Sequence, residues 1–383
     1  MISSKLNTNK PMTLGILGAG QLAKMTAQEA YKMGLNISVI DKSEKTPAGD
    51  MTKEDYPGSW DNQNELQKFI ESSDLITLEN EFIDPEILKE IEKSRTVYPS
   101  SKTISKVQDK FIQKSTFKDA GIPLPDFDSI DSEEDAENFG ETYGYPFLLK
   151  TRTLGYDGYG NFTVKSKDDI SKAFEKFKGR ALLAESFVDF KVELAVMAVR
   201  SSNGEEAIYP CVETYQKNHI CHEVFAPARF GEEITSKAQE MAMKCVKAVD
   251  GVGVFGIEMF LTQNDEILVN EIAPRPHNTG HYTIEACYTS QFENGLRAVL
   301  GLPLGSTEMV KDAAVMINLL GEREGSGVPE NVDAFLKHKK AKLHLYNKKS
   351  SRIGRKMGHI TLIGDDLENV ISEARKAVSD FVW

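Results

Sequence analysis

The run Gly256-Ile-Glu-Met-Phe-Leu-Thr-Gln-Asn-Asp-Glu-Ile-Leu-Val-Asn-Glu-Ile-Ala-Pro-Arg-Pro-His-Asn278 sets two apolar stretches on either side of Gln263-Asn264-Asp265-Glu266. That spacing predicts a β-hairpin with a short polar turn. With Asn264 and Asp265 as the turn, Met259 pairs with Asn270 and Glu258 with Glu271. The two carboxylates then share one face, their Cβ atoms roughly 5 Å apart, where like charges repel. A divalent cation between them removes the conflict, and oxygen-only ligation suits Mg²⁺ or Mn²⁺. Glu on a strand is more often simply solvated. The sequel Ala273-Pro-Arg-Pro-His-Asn278 favours the metal, because two prolines stiffen a loop that presents Arg275, His277 and Asn278. Metal carboxylates followed at once by an anion-binding Arg and His point to phosphoryl transfer.

The 383 residues suffice for two or three domains with a sizeable core. A net charge of −12 argues against bulk binding to nucleic acid or to a membrane surface. Cys211, Cys221, Cys245 and Cys287 lack the spacing of a zinc site or a disulfide framework, which fits a reducing cytoplasm. Met1 to Pro11 is polar, unlike a signal peptide, and no apolar run is long enough to span a bilayer. A cytoplasmic location is expected.

The N-terminal region reads as an α/β unit. Thr13 to Leu17 is a buried strand, Gly18-Ala-Gly20 a tight turn, Gln21 to Met33 an amphipathic helix, and Asn36 to Ile40 a strand closed by Asp41. The pattern mimics a dinucleotide fingerprint, with Ala23 at the third glycine position and an acid about 20 residues on. Glycine turns before helices hold any phosphate or carboxylate, so a nicotinamide enzyme is one reading among several. Asp74 to Leu78 gives another strand, ending in Glu79-Asn-Glu81 at the crevice where α/β sheets bind ligands.

Farther on, Gln108 to Ala120 is predicted helical and is stopped by Gly121-Ile-Pro-Leu-Pro125. Tyr145 to Lys150 is a short strand ending in a lysine. The loop Gly155, Tyr156, Asp157, Gly158, Tyr159, Gly160 follows, where bare backbone N–H groups can close over phosphate oxygens. Ala181 to Ala184 is a strand running into Glu185, Ser186, Phe187 and Val188, whose main chain can take adenine, and Glu193 can take ribose hydroxyls. Each feature is weak alone. Ala314 to Leu320 is a C-terminal strand, and Lys337 to Lys356 holds nine Lys or Arg and no acid. Such a run is usually a solvated face, but it also suits a substrate phosphate.

Taken in order, Lys110, Lys150, the glycine loop, Glu185 to Val188, Glu193, Glu258 and Asn270-Glu271 resemble the parts of ATP-grasp enzymes. Gly18-Ala-Gly-Gln-Leu22 with Met25, Gly155 to Gly160, Asn270 to Thr283 and Gly358-His-Ile-Thr361 resemble the 5-(carboxyamino)imidazole ribonucleotide synthases. Those are ATP-dependent carboxylases of purine biosynthesis, and the likeness covers nearly the whole chain after its first ten residues. It implies mixed α/β and α+β architecture: an ATP-grasp fold at 107–306, a Rossmann-like domain before it at 12–106, and a small C-terminal domain at 311–383. It also implies a homodimer converting aminoimidazole ribonucleotide, bicarbonate and ATP through carboxyphosphate.

By the same resemblance, Lys110, Lys150, Gly155 to Asn161, Glu185 to Val188, Glu193, Gln216, Asn270 and Glu271 contact the nucleotide. Glu258, Glu271 and Asn270 hold Mg²⁺ or Mn²⁺. Arg275, His277, Asn278, Tyr156 and Asp157 serve the chemistry, and Gly20, Gln21, Leu22, Glu79, Lys348 and Arg355 bind the ribonucleotide. Gln216 stands where relatives have a His, and Leu78-Glu-Asn-Glu-Phe82 departs from the family's Tyr-Glu-Phe-Glu-Asn. In an ideal strand Asn270 faces away from Glu271, so a shared metal needs a twist there. Another ATP-grasp ligase or carboxylase with a different acceptor shares these parts, whereas a nicotinamide dehydrogenase explains only the first third.

Overall fold

The N-terminal segment is an α/β unit, as its apolar runs predict. The computed structural model describes residues 11–155, 160–218, 220–379 and 381. Its first elements are β1 (Thr13–Leu17), α1 (Gln21–Lys32), β2 (Asn36–Asp41), β3 (Glu54–Pro57), α2 (Gln63–Ser72), β4 (Leu75–Leu78), α3 (Pro85–Glu92) and β5 (Thr96–Tyr98). They form a parallel sheet of order β3-β2-β1-β4-β5. The chain leaves β1 through Gly18, whose φ of +103° suits glycine alone. Asp41, at the end of β2, braces that turn by accepting from the Ala19 N–H at 3.0 Å. Its second oxygen accepts from the Ser43 N–H at 2.8 Å, so the acid of the apparent dinucleotide fingerprint serves the backbone.

The passage to the second region holds two helices, where the sequence predicts one from Gln108 to Ala120. In α4 (Ser101–Val107) the Ser100 side chain accepts from the Thr103 N–H. In α5 (Lys110–Asp119) the Asp109 side chain accepts from the N–H groups of Phe111 and Ile112. Each cap starts its own helix, so the chain turns between them. Lys110 and Lys114, four apart, consequently lie on one face of α5.

A smaller antiparallel sheet of order β6-β9-β7-β8 follows, made by β6 (Phe127–Ile130), β7 (Phe147–Thr151), β8 (Asn161–Val164) and β9 (Leu182–Ser186). Between them α6 (Glu133–Tyr143) and α7 (Ile170–Lys176) bury Phe139 and Ala173 against Phe147 and Leu149.

The large sheet gathers β10 (Phe190–Arg200), β11 (Glu206–Ile208), β12 (Val212–Lys217) and β13 (Ile220–Ala226). After α8 (Glu232–Ala248) come β14 (Gly253–Thr262) and β15 (Ile267–Ala273), then α9 (Thr283–Ala286), α10 (Gln291–Leu300) and β16 (Ala313–Leu320). The C-terminal segment adds β17 (Gly325–Ser326), α11 (Val332–Phe335), β18 (Lys342–Leu345), β19 (Ser350–Ser351), β20 (Lys356–Gly364) and α12 (Leu367–Ser379). Strand order is β15-β14-β10-β12-β13-β16-β20-β18, with β11 on β10. Because β13 pairs with β16, the C-terminal strands continue the central sheet. On β14 Ile257, Met259 and Leu261 enter the core beside α8, leaving Glu258, Phe260 and Thr262 partly exposed on the other face. Among the described residues no helix is long and apolar enough to cross a membrane.

Candidate active site

Two one-residue departures from the expected hairpin bring Glu258 and Glu271 together. The loop has three residues, Gln263 to Asp265, with Asp265 at a φ of +62°. It is closed by the Asp265 N–H donating to the Thr262 carbonyl at 3.1 Å and the Thr262 N–H donating to the Glu266 carbonyl at 2.9 Å. The longer loop shifts the pairing, so Met259 lies opposite Val269 and not Asn270. A β-bulge at Asn270 then restores the count, and Glu258 stands opposite Glu271. The bulge also breaks the alternation. Val269 and Ile272 both enter the core, while Asn270 and Glu271 both stay partly exposed.

The charges on this pair are unequal. Lys110 forms an ion pair with Glu271. That ammonium holds the Glu271 carboxyl well below the usual range. Burial, then the neighbouring Glu271 and Glu193 carboxylates, push Glu258 upward. Glu258 is therefore the carboxyl that keeps a proton when no cation is near. Among the described residues no group of three or more His, Cys, Asp or Glu gathers as a metal cage. Two facing carboxylates and an amide oxygen nevertheless fit Mg²⁺, which binds through one or two carboxylates and keeps sites for water and phosphate oxygens.

Behind the pair lies a second charged group. Glu185, on β9, is 1% exposed and lies 2.5 Å from both Lys114 Nζ and Lys150 Nζ. Burial opposes its charge, but the two ammonium groups hold its pKa down to about 2. Burial outweighs the same carboxylate at Lys114 and lowers that lysine's pKa. Lys114 Nζ also donates to the Asn270 carbonyl at 3.2 Å, which ties β9 to the bulge.

The third part of the cleft comes from the Ala273–Asn278 loop and its neighbours. Arg275 donates to Glu81 at 2.6 Å. Burial opposes the guanidinium, and Glu81 more than offsets it. His277 Nε2 lies 3.7 Å from Glu258 Oε1, and its Nδ1 is 2.9 Å from Thr279 Oγ1. Burial, then Arg275 and Lys356, push His277 down to about 3, so the ring is neutral near pH 7. Burial raises the pKa of Glu79, which accepts from the Gly20 backbone and feels Arg275 and Lys348. Lys348 is pushed down to about 8 by burial and then by Arg355, with Glu79 opposing. Arg355 donates to the Ser350 carbonyl at 2.8 Å, and burial, then Arg352, lower its pKa.

Several expected residues stand elsewhere. Asn278 and Asn318 form a reciprocal amide pair at 2.9 and 2.6 Å. Asn278 thus fastens its loop to β16 through both ends of its amide. Leu22 packs with Met25, Phe292 and Tyr346 in a small buried cluster, so only its backbone can meet a ligand. Gln21 and Gly20 start α1, and Gly20 lies so close to Glu79 that a Cβ there would fall 2.5 Å from the carboxylate. Ser186 ends β9, Phe187 is exposed and Val188 partly so, as their use as an adenine strand requires. Glu193 sits beside β14, opposite Phe260, and Gln216 is exposed at a β12–β13 bulge. Gly155 and Gly160 flank the glycine loop, and Asn161 pairs with Lys150 across β7 and β8. Tyr156, Asp157, Gly158 and Tyr159 lie outside the described residues.

Sequence reasoning missed Lys114 and Gln291. The i, i+4 spacing of Lys110 and Lys114 was a readable signal for the first. Glu81 was expected at the crevice, but its partner Arg275, 194 residues away, was not foreseen.

Profiles for the ribonucleotide synthetase preATP-grasp domain, the ATP-grasp domain and the phosphoribosylaminoimidazole carboxylase C-terminal domain match residues 11–108, 115–292 and 314–373. The N5-carboxyaminoimidazole ribonucleotide synthase of Bacillus subtilis is 37% identical over 94% of this chain and 93% of that one. The chain belongs to the N5-carboxyaminoimidazole ribonucleotide synthase family. Within that family's wider set, the phosphoribosylaminoimidazole carboxylase of Ogataea methanolica is 41% identical over 93% of this chain. The chain spans about two thirds of the length of the fungal carboxylases it matches. A solved Aspergillus clavatus family member, in complex with ADP and 5-aminoimidazole ribonucleotide, matches with a TM-score of 0.89 at 36% identity, covering 97% of this chain and 98% of that chain. The family carries the ATP-grasp fold with a pre-ATP-grasp domain before it and a C-terminal domain after it. A nicotinamide dehydrogenase has no support here.

Proposed function

We propose that this chain uses ATP to carboxylate 5-aminoimidazole ribonucleotide with bicarbonate, giving 5-(carboxyamino)imidazole ribonucleotide, ADP and phosphate. The observation that carries the reading is the approach of His277 to Glu258 at 3.7 Å. It brings the carboxylate pair and its lysines into one cleft with the anion-binding Arg275 loop.

Bicarbonate is a weak electrophile. One of its oxygens attacks the γ-phosphorus, the bond to the β–γ bridging oxygen breaks, and ADP leaves. The exocyclic amine of the ribonucleotide then attacks the carboxyl carbon of carboxyphosphate, loses a proton, and phosphate departs. Lys110 and Lys150 neutralise the nucleotide phosphates. Glu258, Glu271 and Asn270 would hold Mg²⁺ or Mn²⁺, which would offset negative charge on the transferring phosphoryl group. Arg275 holds the small anion by its charge, while His277, being neutral, supplies an N–H. Gly155 to Asn161 cover the nucleotide and keep water from carboxyphosphate. Lys348 and Arg355 grip the substrate phosphate, and Glu79, Gly20 and Gln21 line its ribose side.

The reading includes three domains at 12–106, 107–306 and 311–383, a homodimer, and a cytoplasmic location. The family profiles, which break near 108 and 314, favour that division. Incubation with ¹³C-bicarbonate, ATP and the ribonucleotide tests the chemistry. One labelled carbon in the product supports the proposal, and an unlabelled product contradicts it.

A further inference from the structure

His277 owes its place to side chains that never reach the cleft. Gln291, the first residue of α10, is 0% exposed. Its Oε1 accepts from the His277 N–H at 2.9 Å and its Nε2 donates to the His277 carbonyl at 2.8 Å. The side-chain amide thus pairs with one residue's backbone as a neighbouring strand would. Those two bonds fix which end of the amide is nitrogen. The same Nε2 faces His281 Nδ1 at 3.0 Å, so that ring nitrogen accepts and carries no proton. His281, 1% exposed, lies against His359 at 4.9 Å between ring centres, and His359 Nδ1 meets the Tyr346 hydroxyl at 2.8 Å. A chain of buried polar groups therefore runs from the C-terminal strands to the His277 backbone.

Two glycines make room for it. A Cβ at Gly256 would fall 2.4 Å from His277 Cβ, and one at Gly280 would fall 2.7 Å from Gln291 Oε1.

We infer that Gln291 is a positioning residue for His277: its amide, oriented by His281, sets the imidazole against Glu258 and Arg275. The inference rests on the functional reading above for what His277 then does. Ile284 and Phe292 pack beside Leu22 and Tyr346, so the bracket sits where three segments of the chain meet.

Gln291→Met keeps the side-chain length and removes both backbone bonds. In the full chain kcat should fall by about 10²-fold, as for a misplacement of the order of 1 Å, with KM for ATP within twofold of wild type. Gln291→Glu keeps the acceptor for the His277 N–H but, when ionised, lacks the donor. Its deficit should shrink as pH falls from 8.5 to 6 and the buried carboxyl takes up a proton, whereas the Met deficit stays constant. Wild-type kcat in a folded Gln291→Met protein overturns the inference, and so do Glu and Met deficits that match at every pH. Should Gln291→Met fail to fold, the Glu variant decides alone. If the wild-type chain itself releases no ADP with aminoimidazole ribonucleotide and bicarbonate, only the functional reading fails. The His277 imidazole ¹⁵N signals then decide: displaced in Gln291→Glu they support positioning, unmoved they exclude it.

Discussion

Glu258 and Glu271 stand opposite each other across the hairpin, yet Lys110 forms its ion pair with Glu271 and not with Glu258. That single ion pair favours the charged form of Glu271, while Glu258 is pushed toward the protonated form. On the proposed function, proton and metal compete at Glu258.

The competition has a measurable sign. The folded pKa of Glu258 lies above the ordinary value of 4.5, so the folded state binds more protons than the unfolded state between the two values. Its contribution to stability falls as pH rises through that window. Relative to Glu258→Gln, the wild-type protein in chelator should lose melting temperature as pH climbs above 4.5. Mg²⁺ should recover the loss in wild type and do nothing for the variant. Parallel melting curves that keep a constant gap across pH contradict this account. Glu271→Gln, which strands Lys110 as well, should nearly abolish turnover.

Lys114 is expected to matter although it touches no reacting atom. Lys114→Met leaves Glu185 buried with one cation in place of two, which should destabilise the charged carboxylate. Glu185 has a folded pKa of about 2 against 4.5 ordinarily, so its stabilisation is complete above 4.5 and disappears as pH falls toward 2. Urea denaturation should therefore show a large loss for the variant at neutral pH and a smaller one near the acid end. An equal loss at both ends means that packing, and not the ion pair, carries the effect.

Lys348 and Arg355 can be told apart from the rest of the basic run. Each replacement by Ala should weaken aminoimidazole ribonucleotide binding by roughly 10- to 150-fold, the equivalent of one charge-assisted hydrogen bond. KM for ATP should barely move. Lys339 and Lys340 are exposed, and their replacement should leave only a salt-dependent effect. Since Lys348 has a pKa of about 8, KM for the ribonucleotide should stay flat below that pH and rise above it. Lys348→Arg should abolish the rise. A comparable loss from Lys339/Lys340 replacement points to steering by the whole patch.

Much of this site was readable, for uneven reasons. Glu258 and Glu271 face each other as expected, but only because a three-residue loop and the bulge at Asn270 offset one another. Strand alternation alone cannot foresee a bulge, and the bulge is what lets Asn270 and Glu271 share a side. The N-terminal α/β unit and its glycine turn followed from apolar period and spacing. The break between α4 and α5 was also written in the sequence, as Ser100 and Asp109, two good caps a few residues apart. Where the Asn278 and Leu22 side chains point was not legible, because residue type and motif position do not say it. Asn278 is held by Asn318, and Leu22 by Phe292 and Tyr346, all distant in sequence. Gln291 left no trace, since a glutamine that mimics a strand looks like any other glutamine.

The most direct test of the account is ADP release by the purified chain with Mg²⁺ and ATP, measured against each candidate acceptor. Release should require aminoimidazole ribonucleotide, proceed with bicarbonate, and cease when formate replaces bicarbonate. Turnover with glycinamide ribonucleotide and formate, and none with aminoimidazole ribonucleotide and bicarbonate, contradicts it.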